Sequence, residues 1–155
     1  MKVIFLDVDG VLNSQKFAEK YYEEEGVNIF REDILNRSAI ACLKRIVSAT
    51  GAIIVLSSTW RHIALARQAL VSQLDDFGLS IHSDTPHAGG RRGADISAWF
   101  ARHPEIEVES YVILDDDNDM EEHLPHLIQT DFYGWGLINK HALAAIEMLN
   151  GGDRK

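Results

Sequence analysis

The sequence predicts an α/β fold in which helices cover both faces of a mostly parallel sheet of about five strands. Two observations lead to this prediction. Short apolar runs lack the alternation typical of half-exposed strands, and amphipathic helical patterns lie between those runs. Strands that alternate with helices along a chain form parallel sheets, because each crossover returns over a face of the sheet. The expected architecture is a Rossmann-like three-layer sandwich.

The predicted strands are short apolar runs rich in Val, Ile and Leu. Such runs are typical of strands covered on both faces, because neither face then needs polar side chains. They comprise residues 3–6, 53–56, 111–114 and 127–128, and residues 79–81 are the fifth.

The predicted helices show apolar side chains spaced three and four residues apart, which places those side chains on one face. Gly51 stands where a C-terminal cap would end the first pattern, and Asn139 is the candidate N-cap of the last. The patterns cover residues 40–47, 65–74, 96–100 and 143–149. No gap between strands and helices is long enough for a large additional domain.

The length of the chain, 155 residues, predicts one domain over residues 1–150 and a polar tail at residues 151–155. No apolar run approaches the ~18 residues that suggest a membrane-spanning helix, so we expect no membrane partner. Cys42 is the single cysteine and cannot form an internal disulfide, which fits a reducing, cytoplasmic location. The sequence leaves the oligomeric state open.

The net charge of −9 bears on the class of partner. The chain shows no basic stripe, and nonspecific binding to nucleic acid depends on many contacts between cations and phosphates. Tight nonspecific binding is therefore disfavoured. Recognition of a single terminal phosphate near Arg61, Arg91 and Arg92 stays compatible with this charge.

Polar residues follow three of the predicted strands at the positions where each strand ends. The carboxyl ends of parallel strands meet at one edge of the sheet, where α/β proteins bind their ligands. We therefore expect these side chains to converge on one acidic pocket. They are Asp7 and Asp9, Ser57 and Ser58, and Asp115 and Asp116.

The acids of this pocket favour a divalent cation. Asp7 and Asp9 are two residues apart, so in an extended chain their side chains point the same way. Carboxylates held close together repel each other unless a cation lies between them or one is protonated. Asp115 and Asp116 add further negative charge, and an oxygen-rich site of this kind suits Mg²⁺. The cation would also let an anionic phosphate approach a carboxylate nucleophile.

The remaining polar residues suit phosphoryl transfer. Ser57 can donate a hydrogen bond to a phosphoryl oxygen, and Arg91 or Arg92 can neutralise charge that develops there. Arg61 is a candidate for contact with a substrate phosphate, and a surface salt bridge fits it equally well. A nucleophilic carboxylate, a second acid, a hydroxyl and a cation are the groups that transfer through an aspartyl-phosphate requires.

Four segments resemble the four motifs of the haloacid dehalogenase (HAD) superfamily. Residues 7–12, Asp-Val-Asp-Gly-Val-Leu, are similar to the first motif, and residues 53–57 resemble the second, a strand that ends in Ser or Thr. Residues 92–96 are similar to the third, a basic residue before a helix. Residues 111–116 resemble the fourth, a strand that ends in paired acids. The order and wide spacing of the four segments agree with the superfamily.

The resemblance implies a phosphatase that hydrolyses a phosphomonoester. Asp7 would attack phosphorus and become the aspartyl-phosphate, and Asp9 would protonate the leaving group and then activate water. Ser57 would bind the phosphoryl group. The Mg²⁺ ligands would be Asp7, the backbone carbonyl of Asp9, Asp116 and, assisting them, Asp115.

The third motif leaves two adjacent arginines to choose between. Members of the superfamily often have Lys there, and this chain has Arg91 and Arg92. The spacing to the following helix favours Arg92 as the catalytic cation. Arg91 then joins Ser58 and Arg61 as a candidate substrate-binding residue.

The short distances between the motifs resemble those of capless members of the superfamily. Residues 57–61 and 129–137 further resemble the small HAD domains associated with RNA-repair proteins. The resemblance implies an open site, which suits phosphorylated substrates from small molecules to bulky ones such as nucleic-acid ends. Residues 13–30 are the candidate flap over that site.

Two other functions would use similar residues. A receiver-like signalling module carries its phosphoacceptor Asp on a middle strand, and here that strand ends in Ser57, which counts against this alternative. A phosphotransferase that passes the phosphoryl group to another hydroxyl would use the same residues. The sequence leaves the phosphotransferase open.

Four further residues are interpreted as structural. Trp60 is expected to pack in the core, and Asp95 is expected to complement a helix dipole from the first turn. His123 and His126 have the spacing of zinc ligands without an evident third ligand, so we predict a solvated surface there.

Overall fold

The computed structural model describes residues 1–151 and contains a five-stranded parallel sheet with the spatial order β3-β2-β1-β4-β5. Its α/β architecture confirms the fold class predicted from the sequence. The strands are β1 (Lys2–Leu6), β2 (Ile53–Leu56), β3 (Ile81–Asp84), β4 (Ser110–Asp115) and β5 (Leu127–Gln129).

Six α-helices and two 3-10 helices accompany the strands in this part of the chain, and all except the last helix lie between strands. The α-helices are α1 (Gln15–Glu25), α2 (Ile29–Glu32), α3 (Arg37–Thr50), α4 (Ala64–Asp75), α5 (Arg92–Arg102) and α6 (Asn139–Gly151). The 3-10 helices are Thr59–His62 and Glu121–His126. None of the helices in residues 1–151 has the length and apolar character needed to cross a bilayer.

Alternate residues of β1 pack into two separate hydrophobic clusters, which explains the unbroken apolar run. Ile4 and Leu6 belong to the cluster that includes side chains of α3, α4 and α6. Val3 and Phe5 belong to the cluster that includes side chains of α5. Both faces of the central strand are therefore buried, as expected for a parallel sheet between two helical layers.

Helix α3 ends where the sequence predicts. Gly51 adopts a left-handed conformation with φ of +72°, and its N–H donates to the Val47 carbonyl. Asn139 is the first residue of α6, and its side-chain oxygen accepts a hydrogen bond from Arg45. Gly151 is the last residue of α6, and residues 152–155 of the predicted polar tail lie outside the described part.

The predicted strand at residues 79–81 is displaced along the chain. The observed edge strand β3 begins at Ile81 and runs to Asp84. Leu79 instead helps to close the preceding helix, because its N–H donates to the Leu74 carbonyl after Gly78 has turned the chain with φ of +72°. Its apolar side chain, which suggested a strand, belongs to the hydrophobic cluster that includes Leu70 and Leu74 of α4.

The order of the strands reverses between β1 and β4. The chain adds β2 and β3 on one side of β1 and then crosses to the other side for β4 and β5. Such a reversal opens a crevice beyond the carboxyl ends of the two strands. Asp7 directly follows β1, and Asp115 is the last residue of β4.

Candidate active site

The carboxyl ends of β1, β2 and β4 lie side by side because β1 pairs with both neighbours in register. Leu6 is the register partner of Leu56 on one side and of Leu114 on the other. The pairing continues one residue further, since the Asp7 N–H donates to the Leu114 carbonyl at 3.0 Å. The Ser57 N–H likewise donates to the Leu6 carbonyl at 2.9 Å. The strand ends therefore meet at one edge of the sheet, as the sequence predicts.

A tight turn after β1 brings the chain against Asp116. Gly10 has φ of +86°, and a Cβ at this position would overlap the Asp116 carboxyl group. The Gly10 N–H donates to Asn13 Oδ1 at 2.9 Å, and its carbonyl accepts from the Thr130 hydroxyl at 2.7 Å. Glycine meets both the conformational and the steric requirement, so the turn depends on it.

Asp7, Asp115 and Asp116 form a cluster that can hold a metal ion. Each offers one carboxylate oxygen, and these atoms lie within 4.8 Å of one another. Asp7 and Asp115 are buried, and Asp116 is partly exposed. A set of carboxylate oxygens at this spacing suits a hard divalent cation. Asp9, whose backbone carbonyl the sequence-based assignment includes, contributes no side-chain oxygen to this cluster.

The carboxyl groups of Asp7 and Asp115 share a small volume from which water is largely excluded. Burial raises the pKa of Asp7 to about 6, against the opposing effect of Arg92. Burial, followed by the charge of Asp7, raises the pKa of Asp115 to about 9. Like charges this close cannot both ionise without compensation. A divalent cation bound by these groups would supply that compensation.

Arg92, the first residue of α5, brings a positive charge to the cluster. Its Nε lies 3.1 Å from Asp115 Oδ2, and its Nη2 lies 3.7 Å from Asp7 Oδ1. Its Nη1 donates to the backbone carbonyl of Ser57. Burial acts to lower the pKa of Arg92, but the charges of Asp7 and Asp115 outweigh burial and raise it. The guanidinium is therefore firmly charged beside both carboxylates.

Arg91 occupies a different environment from Arg92. Its side chain is 66% exposed and pairs with Glu121 at 3.0 Å. The first turn of α5 is held by Asp119, whose carboxylate accepts from the Arg92 N–H at 3.2 Å and whose carbonyl accepts from the Gly93 N–H at 3.0 Å. The structure thus places Arg92, and not Arg91, beside Asp7 and Asp115.

Two buried polar atoms at the site lack a hydrogen-bond partner among residues 1–151. One is the hydroxyl of Ser57, a residue with no exposed surface. The other is Asp115 Oδ2, which lies near Arg92 without the alignment of a hydrogen bond. Leaving such atoms unsatisfied is costly, so a ligand is expected to complete them. A phosphoryl oxygen near Ser57 and a cation near Asp115 would do so.

Asp9 is exposed and is held from two sides. Asn13 Nδ2 donates to Asp9 Oδ1 at 2.8 Å. The indole N–H of Trp60 lies 3.2 Å and 3.3 Å from the two carboxylate oxygens. Trp60 is also part of the hydrophobic core, as predicted, so it fixes the Asp9 carboxylate to a rigid element. The role of Asn13 was not predicted from the sequence, although its position three residues after Gly10 suits a side chain that closes the turn.

The structure places Ser58 and Arg61 inside the protein, which contradicts their expected contact with substrate. The Ser58 side chain is buried and caps the 3-10 helix Thr59–His62 by accepting from the Trp60 N–H. The Arg61 side chain is 3% exposed. Both residues support the loop after β2 from within.

Arg61 forms a closed set of internal contacts. Its guanidinium pairs with Asp95 at 3.0 Å and donates to three backbone carbonyls, those of Ser57, Ser58 and Thr85. Asp95 lies in the first turn of α5, as predicted. Its main contact, however, is this buried ion pair, and its other oxygen accepts from the Ala88 N–H at 2.7 Å. The pair links the loop after β2 to the helix that carries the catalytic arginine candidate.

The prediction of a solvated surface at His123 is wrong. This residue is buried, with Nδ1 2.7 Å from the Tyr111 hydroxyl and Nε2 2.8 Å from Ser97 Oγ. The ring also stacks on Phe100, so aromatic packing accounts for its burial. Burial lowers the pKa of His123, which keeps the ring neutral in these contacts.

A family model described as "HAD domain in Swiss Army Knife RNA repair proteins" matches residues 3–142. The match spans all four motif-like segments and all five strands except Lys2, the first residue of β1. Neither a curated protein nor a solved structure matches the chain.

Proposed function

Because the chain belongs to this family of HAD domains, we propose that it is a Mg²⁺-dependent phosphatase that hydrolyses phosphomonoesters through an aspartyl-phosphate on Asp7. The observation that supports this most directly is the burial of Asp7 among Asp115, Arg92 and the unpartnered Ser57 hydroxyl. A carboxylate in that position combines a nucleophile with groups that can hold a phosphoryl anion.

In the first step, a carboxylate oxygen of Asp7 bonds to phosphorus while the bond from phosphorus to the leaving-group oxygen breaks. Asp9 donates its proton to that oxygen, so the leaving group departs as an alcohol. Ser57 and Arg92 stabilise the negative charge on the phosphoryl oxygens. Trp60 and Asn13 keep the Asp9 carboxylate in place for this transfer.

In the second step, water attacks phosphorus in the aspartyl-phosphate. The deprotonated Asp9 accepts a proton from this water, and the bond from phosphorus to the Asp7 oxygen breaks. The products are inorganic phosphate and the regenerated carboxylate of Asp7. Asp9 thus acts first as an acid and then as a base, and no other proton carrier is needed.

The residues present fit Mg²⁺. The carboxylates of Asp7, Asp115 and Asp116 are oxygen ligands of the kind this cation prefers, and they carry more negative charge than Arg92 neutralises. When bound, Mg²⁺ supplies positive charge that neutralises the phosphate and the acid cluster. Asp7 and Asp116 would be its principal side-chain ligands, with Asp115 assisting.

The site suits substrates that a closed pocket would exclude. Helices α1 and α2 fill part of the segment where many HAD proteins insert a cap, and they are too short to form one. The expectation of a nucleic-acid end as substrate rests on this openness and on the association of the family with RNA-repair proteins.

Hydrolysis of p-nitrophenyl phosphate by the purified protein tests the proposal. We expect turnover in Mg²⁺, its loss in EDTA, and a loss of about 10³-fold or more in Asp7→Asn, as for other enzymes that lose their nucleophile. Asp75→Asn makes the same chemical change at an exposed position at the end of α4 and should behave as wild type. Wild-type turnover by Asp7→Asn would exclude Asp7 as the nucleophile.

A further inference from the structure

A recess adjoins the Asp9 carboxylate. It has a volume of about 450 Å³, and its walls are formed by Asp9, Phe30, Asp33, Trp60 and Phe132. Three of these five residues are aromatic, although aromatic residues make up only 8% of the chain. The recess is therefore chemically distinct from the acid cluster at Asp7.

We propose that this recess binds the leaving group and that the leaving group is a nucleoside. The inference rests on the function proposed above, in which Asp9 protonates the leaving-group oxygen. That oxygen must lie within hydrogen-bond reach of Asp9 during the transfer. The atoms attached to it then have to occupy the space beside Asp9, and the recess is that space.

The aromatic walls favour a flat ring over a sugar or an aliphatic chain. Phe30 is 42% exposed, and its ring lies 5.9 Å from that of Phe132 with 36° between their planes. Together with Trp60 these rings offer an apolar surface against which a nucleobase can pack. Packing of this kind accepts every base, because each base has a π face.

Asp33 supplies the polar part of the recess. Its carboxylate has no hydrogen-bond or ion-pair partner among residues 1–151, whereas its backbone is fixed by contacts with Ile29 and Gln73. Asp33 also adopts a left-handed conformation with φ of +54°, which a non-glycine residue rarely adopts. A fixed acceptor without a donor suits the amino or ring N–H groups of a nucleobase.

The charge of the recess restricts what accompanies the base. Asp9 and Asp33 both line the recess, and no Lys or Arg does so. A second phosphate would be repelled there. The recess therefore fits one nucleoside that carries the scissile phosphate, either as a free mononucleotide or as the terminal residue of an oligonucleotide.

The test compares phosphomonoesters that carry a base with phosphomonoesters that lack one. Adenosine 5′-monophosphate is paired with ribose 5-phosphate, and adenosine 3′-monophosphate with glycerol 2-phosphate, which lacks a ring. For at least one pair we expect wild type to prefer the nucleotide in kcat/KM by about tenfold or more, the size typical of stacking on one base. In Phe30→Ala the ratio should fall to near one.

Two further variants sharpen this result. Asp33→Asn keeps a residue that tolerates φ of +54° and removes the charge, so its preference for the nucleotide should fall several-fold. Trp135→Ala is the matched control, because Trp135 is as exposed as Phe30 and lines a different recess. Equal ratios in wild type and in Phe30→Ala would overturn the proposal.

A measurement without turnover separates the recess from the proposed chemistry. Adenosine, which has no phosphate, should shift the indole N–H resonance of Trp60 in an NMR titration and leave that of Trp135 in place. A shift at Trp60 without hydrolysis of any ester would support the recess and reject the phosphatase. Hydrolysis without base preference and without this shift would reject the recess alone.

A trinucleotide with the same terminal phosphate distinguishes a free nucleotide from a chain end as the natural substrate. A higher kcat/KM for the trinucleotide than for the mononucleotide identifies a chain end, and an equal kcat/KM identifies the free nucleotide.

Discussion

Arg61 and Arg92 reach the same backbone carbonyl, that of Ser57, from different elements of the fold. Arg61 pairs with Asp95, and its side chain is 3% exposed. Arg92 lies between Asp7 and Asp115, and its side chain is 17% exposed. Both arginines are thus placed next to the second strand end, but they neutralise different carboxylates.

The difference lies in what each arginine leaves unsatisfied. The partners of Arg61 are one carboxylate and three carbonyls, and Asp95 also accepts from the Ala88 N–H. Arg92, in contrast, faces more negative charge than it can neutralise, and Asp115 keeps an oxygen without a hydrogen bond. A closed set of contacts stabilises a fold, whereas an incomplete set next to buried carboxylates suits a ligand. We therefore propose a structural role for Arg61 and a catalytic role for Arg92.

Of the variants considered, Arg61→Ala should have the largest effect, and the property that it lowers should be the stability of the fold. Removing one partner of a buried ion pair leaves the other charge uncompensated, which costs about 3–5 kcal/mol. We expect the free energy of unfolding, measured by urea denaturation, to fall by about that amount. Arg61→Lys keeps the charge but loses the fork that contacts Asp95 and the Thr85 and Ser58 carbonyls, so it should rescue only part of the loss.

The same variant can contradict the structural role proposed for Arg61. If Arg61→Ala unfolds at the urea concentration of wild type while kcat/KM falls, then Arg61 acts on substrate and the structural assignment is wrong. Arg37→Ala is the control, because Arg37 pairs with Asp76 at 3.4 Å with both side chains exposed. Its loss should cost less than about 1 kcal/mol.

Arg92→Ala, in contrast to Arg61→Ala, should reduce turnover more than it reduces stability. Loss of a charged group that stabilises the transition state typically lowers kcat by about 10²–10³-fold. We expect a loss of that size in Mg²⁺-dependent turnover, with a smaller loss of stability than in Arg61→Ala. Arg92→Lys should recover part of kcat, since members of the HAD superfamily often have Lys at the corresponding position. Turnover within threefold (roughly 0.7 kcal/mol) of wild type would remove Arg92 from the mechanism.

The acids that face Arg92 predict how stability depends on pH without metal. The pKa of Asp7 is raised to about 6 and that of Asp115 to about 9, so in this range the folded state binds more protons than the unfolded state. As far as these two groups are concerned, stability should therefore be highest below pH 3.8, their ordinary pKa, and should fall as the pH rises from there towards about 9. Mg²⁺ should reduce the fall, because it stabilises the ionised acids.

Thermal unfolding in EDTA and in Mg²⁺ over this pH range measures the effect. A few kcal/mol correspond to a shift of about 5–10 °C in a chain of this size. In Asp116→Ala the stabilisation by Mg²⁺ should shrink, since one ligand is lost. An identical pH profile with and without Mg²⁺ would contradict a metal site at these acids.

The sequence predicts one part of this site and leaves the rest undetermined for a physical reason. Asp7, Ser57 and Asp115 follow apolar runs, and parallel register brings strand ends together whatever the loops do. Partners that come from distant loops carry no such signal. Arg61 and Asp95 are 34 residues apart, and their pairing decides that Arg61 points inward.

The same reason explains the other misassignments. Ser58 has the residue type of a phosphate ligand, but it begins a 3-10 helix whose N–H groups need a cap. The recess beside Asp9 is lined by Phe30 and Phe132, which are far apart in the sequence, so no local sequence pattern predicts it. Strand ends are thus predictable from local chemistry, whereas side-chain partners depend on tertiary packing.

Arg91→Ala should have the smallest effect and completes the comparison of arginines. Arg91 precedes Arg92 in the chain, but it pairs with Glu121 and is largely exposed. An exposed pair contributes less than about 1 kcal/mol, so stability should be nearly unchanged. Turnover of p-nitrophenyl phosphate should stay within about twofold of wild type, the equivalent of roughly 0.4 kcal/mol. A loss comparable to that of Arg92→Ala would mean that substrate draws Arg91 away from Glu121, and that both arginines neutralise the phosphoryl group.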